Sequence, residues 1–64
     1  MSQTLKPDTT YNRFGIWDSQ AERFKDEILV EVGGEKPAAR EGEEVIQIGT
    51  ATTGPDGEIV ETTP

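Results

Sequence analysis

Apolar residues are not spread evenly along this chain. Of its sixteen large apolar or aromatic residues, nine fall between Tyr11 and Gly34, and any core must start there. The first half of that stretch, Tyr11–Trp17, is aromatic and interrupted by Gly15, which disfavours a helix interior. Alternation then sets Phe14 and Ile16 on one side of an extended segment, with Gly15 and Trp17 on the other. The second half carries a helical signal. Ala21, Phe24, Ile28 and Val32 are spaced three, four and four apart, and Leu29 widens the stripe. Ser19 and Glu22 fit a capping box, Asp18 and Glu22 suit the positive end of a helix dipole, and Gly33-Gly34 can end the helix. This spacing predicts a helix over about 19–31. The run Ile28–Val32 is rich in β-branched residues and would also make a strand, so the last turn is open between helix and strand.

Flanking segments complete a small α+β unit. Met1–Thr10 is polar, with Lys6-Pro7-Asp8 as a turn, and reads as a flexible arm over 1–10 ahead of a single small domain, 11–64. Residues 34–44, with Pro37, glycines and a charge run, form a polar linker. Val45–Ile48 and Ile59–Thr62, joined through Gly54-Pro55-Asp56-Gly57, predict a C-terminal antiparallel hairpin over about 45–62 with a type I turn. If Thr53 faces Glu58, Ile46, Ile48 and Ile59 share a face with Thr50, Thr52 and Glu61. A two-stranded hairpin is marginal alone and must pack on the helix, pair with another strand or stay loose. The alternative architecture is a largely extended chain ordered by its partner.

Composition sharpens this picture. Sixty-four residues make one domain at most, burying only about 60% of the unfolded surface. There is no Cys and no His, so neither a disulfide nor a thiolate or imidazole site can help. Leu, Ile, Val and Phe make up about a fifth of the chain and the net charge is −7, a composition at the border of disorder. Stability must come from a partner, from self-association or from very good packing. Residues 1–32 carry a net −2 and residues 33–64 a net −5. That excess repels nucleic acid and anionic membrane and favours basic partners, although solubility alone also explains it. No apolar run spans a membrane and the N-terminus lacks a secretory signal, so the expected location is intracellular (cytoplasmic) or within a viral particle.

Candidate chemistry is sparse. Ser19 and the threonines have no base beside them, Glu43-Glu44 and Glu58/Glu61 lie in polar surroundings, and no glycine-rich phosphate loop opens a helix. Asp56-Gly57-Glu58 lacks the ligand spacing of a calcium loop and reads as a turn. The expectation is a non-enzyme with no catalytic, cofactor or metal residues, and no cofactors. Arg13, Phe14 and Trp17 could stack on a base, but the net charge favours packing. Glu43-Glu44-Val45-Ile46-Gln47-Ile48 resembles the short acidic–aliphatic motif that adds as an edge strand to a small ubiquitin-like modifier; the resemblance covers six residues and implies only that this segment could join an exposed sheet edge.

The reading this supports is a non-enzymatic protein-binding or assembly protein, with Phe14, Trp17, Phe24, Ile28 and Leu29 as protein-binding anchors. Its partner would be a protein, a large assembly or a second copy. A small accessory or structural component of a virus particle suits such a chain. The rival from another class is an acidic inhibitor that occupies the basic nucleic-acid channel of an enzyme.

Overall fold

The computed structural model describes residues 4–64. They form one antiparallel sheet of four strands: β1 (Thr10–Asp18), β2 (Arg23–Glu31), β3 (Glu43–Thr53) and β4 (Ile59–Thr63), in spatial order β2-β1-β3-β4. No helix occurs among the described residues, so the expected helix over 19–31 is overturned and the fold is all-β. The expectation of an extended chain shaped only by a partner is replaced as well, because the strands pair with one another.

The helical signal fails for local and non-local reasons. Ser19–Glu22 is the loop of the β1–β2 hairpin. Asp18 Oδ1 accepts from the Gln20 and Ala21 amides at 2.9 and 3.2 Å, closing the turn in place of the capping box, and Glu22 takes a left-handed φ of 55°. Beyond it, the apolar residues pair with β1: Phe14 lies opposite the β-branched Ile28, Asn12 opposite the β-branched Val30, and Trp17 opposite Phe24. An isolated helix of that length is marginal in water, whereas the strand gains a complete ladder and cross-strand contacts. A bulge at Lys25 explains why Phe24 and the Asp26–Val30 run do not alternate as one series.

β2 and β3 flank β1 and run parallel to each other. Residues 32–42 must therefore cross from the Tyr11 end of the sheet to the Asp18 end. Gly33, at φ +94°, and the Gly34 amide, bonded to the Glu31 carbonyl at 2.8 Å, start the crossover where a helix end was expected. It sets out on the face that carries Val30: a Cβ on Gly34 would stand 2.7 Å from Val30 Cγ1. The same face holds the core, Phe14, Ile16 and Val45, with Ile28 and Val30 packed against it. Burying each of the three core side chains contributes roughly 1.5–3 kcal/mol, and the partly buried Ile28 and Val30 contribute less.

β3 and β4 are joined through the turn at Gly54–Gly57, where the Gly57 amide donates to the Gly54 carbonyl at 3.1 Å. Their register differs from the expected one. Thr53 lies opposite Ile59, not Glu58, and a bulge follows. A second bulge, at Ile48 against β1, switches the facing of β3 partway along, so Ile46 and Ile48 do not share a face with Thr50 and Thr52. Of the expected flexible arm, residues 1–3 lie outside the described residues. Lys6–Thr9 is hydrogen-bonded to the sheet: the Thr53 hydroxyl, 2% exposed, accepts from the Thr9 amide at 2.9 Å and donates to the Lys6 carbonyl at 2.6 Å.

Candidate functional site

The face opposite the core is open over half its length. At the Tyr11 end it is closed by the N-terminal segment: the Lys6 amide donates to the Tyr11 hydroxyl at 2.8 Å, and Lys6 Nζ pairs with Glu31 at 3.3 Å. Towards the other end, Trp17 and Phe24 meet edge to face across the hairpin, with ring centroids 5.1 Å apart and planes at 78°. Gly15 makes this possible. Phe24 lies over its backbone so closely that a Cβ there would stand 2.7 Å from two ring carbons, with Ile48 3.4 Å away on the other side. Ile46, opposite Gly15 on β3, extends the surface. Phe24 is 48% exposed and Ile46 40% exposed, a large fraction for side chains placed side by side on a sheet. Trp17, Leu29 and Ile48 are half-buried on the same face.

Charged groups frame the surface. Arg13 Nε and Glu27 Oε1 pair at 2.6 Å beside Leu29, and Glu44 lies opposite Trp17 and is exposed. On the core face, at the Asp18 end, Lys25 pairs with Glu43 and so ties β2 to β3 across β1. The hydrogen bond from Lys25 holds the Glu43 carboxyl below the usual carboxylate value, and the same bond raises the Lys25 ammonium. The Ala21 and Gln20 amides lower Asp18 in the same way.

The five expected anchors divide between the two faces. Trp17, Phe24 and Leu29 are on the open face; Phe14 is buried and Ile28 half-buried on the core face. Ile46 and Ile48 join the first group and were missed, although their alternate spacing marks them as one side of a strand. What hid them was the bulge and the pairing of β3 with β1. Asp56, considered for calcium, instead accepts from the Glu58 amide at 3.1 Å within the turn. Among the described residues, no cluster of three or more carboxylates is placed to hold a metal ion, and no helix is long and apolar enough to cross a membrane. Comparison with family models, with curated proteins and with solved structures finds no match to this chain.

Proposed function

We propose that this chain is a non-enzymatic protein-binding or assembly protein that docks through the open face, with Trp17, Phe24, Ile46, Ile48 and Leu29 as contacts. The observation that carries this reading is the Trp17–Phe24 pair, in which Phe24 is exposed and Trp17 half-buried, continued by the exposed Ile46 on a sheet whose other face already supplies the core. Large aromatic side chains are the usual energetic centres of interfaces. Phe14 and Ile28 act from beneath, as the packed layer that holds β1 and β2 in place. The exposed carboxylate of Glu44 and the net charge of −7 suit a partner surface that is apolar at its centre and basic at its rim.

The rival is the acidic inhibitor, favoured by the same charge. Capture of partners by the tagged chain, compared with a Phe24→Ser/Ile46→Ser variant shown to be folded by circular dichroism, separates the two. Truncation of a hot spot costs about 2 kcal/mol or more, so the variant should lose the partner, and wild type should keep it at about 0.5 M salt. A variant that binds as well as wild type, with binding abolished by salt, would replace this reading with the inhibitor.

A further inference from the structure

β4 covers only part of β3. Its pairs run from Thr50 opposite Thr63 to Thr53 opposite Ile59. Among the described residues, Glu43–Ile48 therefore has β1 on one side and no strand on the other. Alternate residues of an antiparallel strand point their N–H and C=O groups away from the neighbour they bond, so this stretch presents unpaired backbone groups along a notch in line with β4. The outer edge of the sheet at β2 is different. It carries Arg23, Lys25, Asp26, Glu27 and Glu31 and is bulged at Lys25, features that discourage strand addition. At the notch, Val45-Ile46-Gln47-Ile48 has neither charge nor proline.

We infer that this notch accepts an extended segment of another protein as an added strand, one with apolar side chains at alternate positions and a Lys or Arg beside Glu44. The side chains of such a strand that fall on the open face would lie next to Ile46 and Ile48 and lengthen the apolar surface formed with Trp17 and Phe24. Those at the Glu43–Glu44 end meet acid: Glu43 is already paired with Lys25, whereas Glu44 is exposed. Charge selects the occupant. A second copy would bring another net −7 to the edge, with its own Glu43 and Glu44 in the paired stretch, while a basic strand is attracted. This inference rests on the protein-binding reading above and adds the mode of contact and the chemistry of the partner.

The test titrates the full ¹⁵N-labelled chain with the synthetic peptide Lys-Val-Thr-Val-Thr-Val-Arg and follows amide shifts and hydrogen exchange. Two controls are the same peptide N-methylated at alternate residues and the acidic peptide Glu-Val-Thr-Val-Thr-Val-Glu. The expected result is saturable shifts in Glu43–Ile48, exchange of alternate amides there slowed about tenfold or more, and weak or no binding of either control. Shifts confined to Trp17, Phe24 and Leu29, with equal binding of the N-methylated peptide, would overturn strand addition and leave face docking standing. Protection of the same amides in the free protein, rising with its concentration, would overturn the heterologous partner in favour of a second copy. No binding of the basic peptide would overturn the inference, while the capture comparison with the Phe24→Ser/Ile46→Ser variant decides the broader reading separately.

Discussion

Gly15 decides how the Trp17–Phe24 pair stands, because it is the floor on which the Phe24 ring rests. Gly15→Ala should push that ring off the sheet. The expected loss is that of one aromatic pair, roughly 0.5–1.5 kcal/mol, with a change in Trp17 fluorescence; unaltered emission and stability would show that the pair does not depend on the missing Cβ. Asp18 and Ser19 make a contrasting pair. Ser19→Ala should be nearly silent in urea melts, since the side chain that closes the turn belongs to Asp18; Asp18→Ala should lower the midpoint. The reverse order would restore a capping role to Ser19. The sequence shows both residues in a place suited to helix initiation. It cannot show that the Asp18 carboxylate reaches the Gln20 and Ala21 amides first.

Links between elements come from few side chains, and each gives a measurable effect. Thr53→Val takes the acceptor from the half-buried Thr9 amide, a cost of about 0.5–1.5 kcal/mol, the net worth of one hydrogen bond. The check is a urea midpoint together with amide exchange at Lys6–Thr9, which should speed up as the segment lifts from β3. The Lys25–Glu43 pair adds a pH dependence. Glu43 is lowered from its ordinary 4.5, so its contribution is complete above that value and fades as pH falls through the lowered one. Lys25 is raised from 10.5, so its contribution is complete below 10.5 and fades only as pH rises beyond it. Wild type should therefore exceed Lys25→Met in stability through the neutral range, and the difference should shrink in acid, well below pH 4.5. A constant difference down to strongly acidic pH would assign the effect of the substitution to packing alone.

For the whole molecule, a core of Phe14, Ile16 and Val45 is a small reserve. Phe14→Ala should remove about 3–5 kcal/mol, comparable to all that such a small domain has, and leave the chain unfolded by circular dichroism at room temperature. A cooperative melt for that variant would mean that the open face holds the fold together. The pairing of β1 with β3 joins residues 25 to 42 positions apart, from Asp18 with Glu43 to Thr10 with Thr52, so folding should be slow, in milliseconds to seconds.

The sequence by itself determined the quantities that depend on which residues are present: a net negative charge, little apolar material, apolar weight in Tyr11–Gly34, a turn at Gly54–Gly57, and the opposite facing of Phe14 and Trp17 in an extended Tyr11–Trp17. Only the tertiary structure decided between helix and strand over residues 19–31. The stripe of Ala21, Phe24, Ile28 and Val32 satisfies a helix, and the β-branched run satisfies a strand; what settles the matter is a neighbour, β1, whose Phe14 and Asn12 stand opposite Ile28 and Val30. The candidate site follows the same rule. Trp17 and Phe24 were legible as binding anchors, but with Phe24 on a helix face instead of across a hairpin from Trp17. Their union with Ile46 and Ile48 depends on β3 pairing with β1 and on the bulge at Ile48, long-range contacts that no local pattern encodes.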